Sequence, residues 1–185
     1  NAMFVIALGD LQTFATTAAD RARWRALQTK TAKAVRQHLW DARAGKFLPH
    51  LYVAGSPFPP NFDERSIWFH GGTAIAIEAG LLSRNEILAA YRTMVANVRA
   101  AGAPSIGLTV YPPYPDGLLA GSNSNKPYVY QDGGDWTWFG GRMVQQLVEH
   151  GFVQEAYDAI RPMLDRVVAN GTFHEWYARD GQPKG

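Results

Sequence analysis

The sequence contains no cysteine, so its 185 residues can form neither disulfide bonds nor thiolate metal sites. The five histidines, at positions 38, 50, 70, 150 and 174, show no short His-x-x-x-His spacing, and we expect no metal and no other cofactor. A Gly-x-Ser-x-Gly nucleophile motif and a phosphate-binding Gly-Lys-Ser/Thr loop are also missing. These absences argue against thiol, serine-hydrolase and nucleotide-binding chemistry.

Charges of one sign and long apolar runs are scarce as well. The formal net charge is +2 and like charges do not run together, so nucleic-acid binding is not expected. No apolar stretch approaches the ~20 residues that span a bilayer, and we expect no membrane segment. Residues 3–8 are too short and lack the basic lead of a signal peptide, which leaves both a cytoplasmic and an exported location open.

The composition predicts one globular domain over residues 3–185, because 46% of all residues are hydrophobic. Asn1 and Ala2, which precede Met3, are interpreted as a tag remnant. Apolar residues at helical spacing predict five or six helices, over about 3–19, 20–40, 70–82, from 83 past 98, 135–150 and 152–170. We expect Asp20 to be the N-cap of the second helix, and Pro162 to kink or restart the last one.

Residues 102–134 separate two of these helices and show no strong periodicity. The segment holds five prolines and four tyrosines, which favours an ordered, functional loop. Strands do not alternate with helices, so we predict an all-α fold built from helical hairpins.

The most informative stretch covers residues 128–142, Tyr-Val-Tyr-Gln-Asp-Gly-Gly-Asp-Trp-Thr-Trp-Phe-Gly-Gly-Arg. It places Gln131, Asp132 and Asp135 among aromatic rings and two glycine pairs. A buried core would not hold these polar groups without partners, and a solvated loop does not need so many rings. The combination suits a pocket for a ligand with polar groups and one apolar face, as sugars have.

A second stretch, residues 171–177, repeats this chemistry with Glu175 among Phe173, Trp176 and Tyr177. Tryptophan rings could stack on a sugar ring. Because residues two apart cannot share one face of a helix, at most one of Trp136 and Trp138 should line a pocket from a regular helical turn.

Together these motifs resemble the C-terminal part of (α/α)6-barrel glycosidases. The segments that carry the resemblance are "LWDARAGKF", "YPPYPDG", "YQDGGDWTW" and "FHEWYARDGQPKG". The nearest kinds are the glucosidase domain of glycogen-debranching enzymes, the trehalases and the processing α-glucosidases. The resemblance implies part of a six-hairpin toroid with long aromatic loops at one end. It also implies a glycoside hydrolase that acts on an oligosaccharide or glucoside, with inversion at the reacting carbon.

The resemblance further implies residue roles. Glu175 matches the position of the general base, in a Glu-aromatic-Tyr segment before a Gly-x-Pro-x-Gly turn. The predicted sugar-binding residues are Tyr130, Gln131, Asp132, Asp135, Trp136 and Trp176. The family's general acid lies far upstream of the base. Within this chain the candidates are Asp63 or Glu64, with Asp132 or Asp135 as an alternative, unless a partner chain or residues outside this sequence supply it.

Each assignment has a structural alternative. Asp135 could cap a helix, Asp132 could form a turn, and Asp63 and Glu64 could be solvated or ion-paired. Glu175 could be an exposed hairpin residue.

Two other functions stay open as well. One is a non-catalytic half-toroid that binds glycans or mediates assembly, as a homo-oligomer or with the missing half of the barrel, because half a ring exposes an apolar flank. The other is an epimerase or lyase that uses His174, His70 or Tyr177.

Overall fold

The computed structural model describes residues 1–119 and 126–185. This part of the chain contains six α-helices, which confirms the all-α fold class. They are α1 (Ala2–Phe14), α2 (Ala18–Leu39), α3 (His70–Glu78), α4 (Arg84–Ala101), α5 (Thr137–Glu149) and α6 (Val153–Asn170). The predicted loop 102–134 lies between α4 and α5, and its residues 120–125 fall outside the described residues.

Local signals in the sequence explain where several helices begin and end. A capping box starts α4, because the side chains of Ser83 and Glu86 each accept a hydrogen bond from the other residue's backbone N–H. Gly171 ends α6 in the left-handed conformation that glycine adopts readily. Thr17, and not Asp20, caps α2, since the Thr17 hydroxyl accepts the Asp20 N–H. The expected restart at Pro162 does not occur, because α6 runs continuously through it.

The six helices form an arc of three hairpins. Residues 15–17, 79–83 and 150–152 are the short links within the hairpins. Helix α3 packs against both α1 and α5, which makes α1, α3 and α5 one layer of the arc. Helices α4 and α6 meet in the other layer, where the Tyr91 hydroxyl donates to the Glu155 carbonyl at 3.0 Å.

The main hydrophobic core lies between the two layers. Its largest fully buried side chains are Ile77, Ile87, Met94, Met143, Leu147 and Met163. None of the described helices combines the length and the apolar character needed to cross a membrane.

Three long segments meet at the end of the arc opposite the short links, and their described residues are 40–69, 102–119 with 126–136, and 171–185. Each contributes to a two-stranded antiparallel pairing. The strands are β1 (Trp40–Asp41) with β2 (Lys46–Phe47), β3 (Trp68–Phe69) with β4 (Val110–Tyr111), and β5 (Trp176–Tyr177) with β6 (Pro183–Lys184). The β3–β4 pairing joins the first long segment to the second, and backbone bonds between Asp135 and Tyr177 join the second to the third.

Helices α3 and α5 approach closely because the first turn of α3 contains two glycines. A Cβ atom on Gly71 would lie 2.3 Å from Cδ1 of the Phe139 ring on α5. The adjacent Gly72 faces away from this contact, and the nearest atom to its Cβ position is 3.7 Å away.

We therefore expect opposite effects from alanine at these two glycines. Gly71→Ala should lower the free energy of unfolding by about 1–3 kcal/mol, because the methyl group overpacks the Phe139 contact. Gly72→Ala should leave it unchanged or raise it by up to about 1 kcal/mol, because alanine favours the helix. Urea denaturation of both variants measures the difference, and equal effects at the two positions would contradict the packing described.

Candidate functional site

The long segments are aligned by backbone hydrogen bonds around residues 134–136. The Trp136 N–H donates to the Gly107 carbonyl at 2.8 Å. On the other side, Asp135 and Tyr177 exchange two N–H···O bonds of 3.0 and 2.8 Å. The pairing brings the two aromatic stretches found in the sequence into contact.

Glycines allow this close approach. A Cβ on Gly134 would lie 2.2 Å from the Tyr130 carbonyl oxygen and 2.9 Å from the Trp176 ring. A Cβ on Gly107 would lie 2.4 Å from the Trp136 carbonyl oxygen. At these two positions the backbone has no room for a side chain, which explains their glycines.

Both aromatic stretches line one open cavity of about 480 Å³, which we call the aromatic cleft. Its described lining residues are Gln131, Trp136, Thr137, Trp138, Phe139, Phe173, His174 and Glu175. Glu175 is exposed and is the only carboxylate among these residues. Apolar rings beside one carboxylate and one amide match the chemistry of a sugar-binding pocket.

Trp136 and Trp138 both line the cleft, although they are two residues apart. Trp136 is the N-cap of α5, with extended backbone angles of φ −109° and ψ 116°, so the helical geometry begins only after it. Trp138 lies in the first turn of α5 and is 54% exposed. The expectation that at most one of these tryptophans lines a pocket holds only when both lie in a regular helical turn. Trp136 lies outside the helix, so both rings can reach the cleft.

Tyr130 and Trp176 lie beside the cleft. Their rings are in edge-to-face contact, with 6.1 Å between the ring centroids, and the centroids of the Tyr130 and Trp136 rings are 4.9 Å apart. The Tyr130 hydroxyl donates to Glu175 Oε1 at 3.4 Å. Five of the predicted site residues therefore lie in or beside the cleft, namely Tyr130, Gln131, Trp136, Glu175 and Trp176.

Asp135 lies beneath this surface in a buried ion pair. Its carboxylate is 1% exposed, and its Oδ1 accepts a hydrogen bond from the Arg166 guanidinium at 2.7 Å. The Ser105 hydroxyl lies within hydrogen-bonding distance of both carboxylate oxygens. The proposed helix cap is therefore wrong, because Trp136 is the N-cap and the Asp135 carboxylate is held by α6. Arg166 also lies over the Tyr177 ring, 3.9 Å from its centroid.

Asp132 is also buried, at 1% exposure. Its Oδ1 accepts the Tyr114 N–H at 2.7 Å, whereas Oδ2 has no protein partner among the described residues. Burial raises the pKa of Asp132 to about 6, and the Tyr114 hydrogen bond only partly offsets this effect. The backbone of Asp132 closes a tight turn, because its carbonyl accepts the Tyr128 N–H at 2.7 Å.

Asp63 and Glu64 do not line the cleft. Asp63 is exposed and caps a short 3₁₀ turn over Glu64–Ser66 by accepting the Arg65 N–H. Glu64 is 8% exposed, and its Oε1 takes a hydrogen bond from the Tyr114 hydroxyl at 2.6 Å.

Two further groups surround the same Glu64 oxygen, His50 Nδ1 at 2.8 Å and the Tyr52 hydroxyl at 3.2 Å. With Tyr114 they give one carboxylate oxygen three polar neighbours. These contacts satisfy the hydrogen-bonding requirement of a buried carboxylate.

The residues considered for epimerase or lyase chemistry are separated. His70, the first residue of α3, is buried, and its burial lowers the pKa of the imidazole to about 3. The Tyr177 side chain is 0% exposed. Only His174 lines the cleft.

Three partners were missed by the sequence reasoning. Ser105, Tyr114 and Arg166 hold the two buried aspartates but lie 18 to 31 residues away from them. Of the three, only Arg166 had a signal in the sequence, because a cation on the inner side of an amphipathic helix requires an anionic partner.

Removing the Arg166 side chain should strongly destabilise the fold. Arg166→Ala leaves Asp135 as an unpaired buried charge, and we expect a loss of about 3–5 kcal/mol in the free energy of unfolding. The control is Arg161→Ala on the same helix, whose 3.9 Å pair with Asp165 is exposed and should contribute less than about 0.5 kcal/mol. Urea denaturation compares the two, and similar losses would contradict the assigned role.

Replacing Asp132 should stabilise the protein at neutral pH. Its carboxyl titrates near 3.8 in the unfolded chain and near 6 in the folded state, so the free energy of unfolding falls as pH rises from about 4 to 6. Asp132→Asn removes the buried charge and keeps an acceptor for the Tyr114 N–H. We expect a gain of about 1–3 kcal/mol at pH 7 that disappears below pH 4.

Urea denaturation at both pH values measures this gain. The control is Asp116→Asn, because Asp116 is exposed in the same long segment. A gain of equal size at pH 7 and below pH 4 would assign the effect to packing and contradict the electrostatic cause.

Comparison with known proteins finds similarity to solved structures but none at the level of sequence families. No protein-family model matches the sequence, and no curated protein matches it. Among solved structures, the chain is similar to an uncharacterized conserved protein from Thermus thermophilus, with a TM-score of 0.69 and 19% identity. It is also similar to the GH63 mannosylglycerate hydrolase of Thermus thermophilus in complex with glucose, again with a TM-score of 0.69 and 19% identity.

The same hydrolase in complex with Tris and D-glycerate matches with a TM-score of 0.63 and 18% identity. These matches cover 100% of this chain and 40–41% of the neighbouring chains. The chain therefore spans about two fifths of the length of the structures it resembles. At this identity the likeness shows the fold, part of an α/α toroid.

Proposed function

We propose that this chain contributes the general base and one wall of the sugar pocket in an inverting glycoside hydrolase. The observation that carries the proposal is the exposed Glu175 carboxylate at the aromatic cleft, with the Tyr130 hydroxyl beside it. The fold neighbours support the substrate class, because one is named a mannosylglycerate hydrolase and was solved with glucose and with D-glycerate. A small glucoside, mannoside or oligosaccharide is the proposed substrate.

In this mechanism, Glu175 removes a proton from a water molecule as its oxygen attacks the anomeric carbon. The bond from that carbon to the leaving oxygen breaks, and a second carboxyl group gives its proton to the leaving oxygen. Water has then been added across the glycosidic bond, and proton exchange with solvent restores both carboxyl groups. Trp136 and Trp138 would pack against the apolar face of the sugar, and Gln131 would bond its hydroxyl groups.

The second carboxyl group is proposed to come from helical hairpins outside this arc. An inverting enzyme needs its acid ~6.5–9.5 Å from the base, and the cleft's described lining holds Glu175 alone. Asp63 serves as a cap, and Glu64 already has three polar neighbours on one oxygen.

The two ends of the arc support this proposal, because both expose large apolar side chains. On α1 these are Met3, Phe4, Leu11 and Phe14, and on α6 they are Val153, Tyr157, Leu164 and Val168. Helices with such faces normally pack against other helices. The partner hairpins would belong to a second copy of this chain or to the remaining part of the ring.

One observation favours a second function, glycan binding without catalysis. A cleft whose described lining contains a single carboxylate can hold a sugar but does not by itself supply both an acid and a base. The two functions differ in whether the site binds a transition-state mimic more tightly than a sugar.

The proposed function predicts that Glu175→Gln abolishes hydrolysis. We expect a loss of at least about 100-fold in kcat, because the amide cannot accept the proton from water. The assay follows mannosylglycerate, maltose, isomaltose and trehalose by proton NMR, which also shows which anomer is released first. The control is Glu149→Gln, an exposed glutamate at the end of α5.

Hydrolysis at the parental rate by Glu175→Gln would refute the base assignment, and release of the retained anomer would refute inversion. Sedimentation equilibrium on the same samples shows whether the active species contains one copy or more. If the parent hydrolyses none of the substrates, titration with the sugars and an iminosugar decides between the functions. Equal affinity for both ligands would support the glycan-binding function.

A further inference from the structure

Tyr130 adopts a backbone conformation that is rare for a residue with a large side chain. Its φ angle is +50°, in the left-handed region, where the Cβ crowds the carbonyl oxygen at a cost of about 1–2 kcal/mol. Tyr128, two residues earlier, is also left-handed, with φ +65°. Such strain persists only where the surroundings hold the residue in place, and it concentrates at functional sites.

The surroundings of Tyr130 hold both its backbone and its ring. Its carbonyl oxygen accepts two hydrogen bonds of 3.0 Å, from the Gly134 N–H and from Nε1 of Trp136. Its ring contacts the rings of Trp136 and Trp176 in edge-to-face geometry, with centroid distances of 4.9 and 6.1 Å. With its ring packed against two tryptophans, Tyr130 is poorly placed to stack on a sugar.

The one polar group that Tyr130 presents outward is its hydroxyl, which donates to Glu175 Oε1 at 3.4 Å. Gly185 lies on another side of the same carboxylate, where a Cβ would come within 2.8 Å of Oε2. Glu175 is otherwise exposed and lies at a bend in the short segment between α6 and β5. A flexible glutamate in such a position needs an external contact to keep one orientation.

We infer that Tyr130 is a positioning residue that holds the Glu175 carboxylate in its working orientation, rather than a residue that binds the sugar. This inference rests on the proposed function of Glu175. A hydrogen bond to Oε1 restricts rotation of the carboxylate that accepts the proton from water. The strained backbone of Tyr130 is the means by which the hydroxyl reaches Glu175.

The test is Tyr130→Phe, which keeps the ring and its packing but removes the hydroxyl. We expect kcat to fall about 10- to 100-fold with KM changed less than about twofold, because a displaced catalytic group slows the reaction without weakening binding. The matched control is Tyr128→Phe, the same change at a left-handed tyrosine whose ring packs under Arg179. This control should keep the parental kcat and KM.

A double variant separates positioning from a general structural effect. If Tyr130 acts only through Glu175, Tyr130→Phe should cause no further loss in a Glu175→Gln background. An independent loss in that background, or a parental kcat in Tyr130→Phe, would overturn the inference while leaving the proposed function intact. A rise in KM with unchanged kcat would assign Tyr130 to sugar binding instead.

A structural measurement tests the inference when the parent shows no hydrolysis, the result that counts against the proposed function. Crystal structures of the parent and of Tyr130→Phe compare the side-chain position of Glu175 directly. We expect one ordered rotamer in the parent and a displaced or multiple rotamer in the variant. An unchanged Glu175 in the variant would overturn the positioning role.

Discussion

The buried ion pair between Asp135 and Arg166 is the interaction on which the functional end of this protein depends. It ties the second long segment to α6, and α6 leads directly into the third long segment, which carries Glu175. The backbone bonds between Asp135 and Tyr177 then align the two segments side by side. A charge pair that is almost fully desolvated tolerates little displacement, so it defines the position of the aromatic cleft more strictly than apolar packing would.

The helical part of this fold could be predicted because its determinants are local. The apolar stripes of α4 and α6, the capping box at Ser83 and Glu86, and the glycine after Asn170 each act within a few residues. The boundary errors arose where two local candidates compete, as Thr17 and Asp20 do for the cap of α2. The continuity of α6 through Pro162 had no local signal, since the core packing of its inner face outweighs the lost backbone bond.

The sequence reasoning named residues that the fold brings near one cleft, but it did not distinguish the exposed ones from the buried ones. Glu175, Gln131 and Trp136 line the cleft, whereas Asp132 and Asp135 are buried behind it. Sequence alone does not separate a carboxylate that faces a ligand from one that supports the loop, because both occur among rings and glycines. The distinction depends on Tyr114, Ser105 and Arg166, whose contacts with these aspartates arise only once the chain has folded.

The arc keeps its short links at one end and its three long segments at the other. Lengthening a loop costs little entropy, about 0.6 kcal/mol for each doubling, so these segments can gain or lose residues while the helices stay paired. Evolution can therefore reshape one end of the molecule without disturbing the other. Such a division lets the paired helices serve as a fixed support while the residues that meet a ligand change in number and kind.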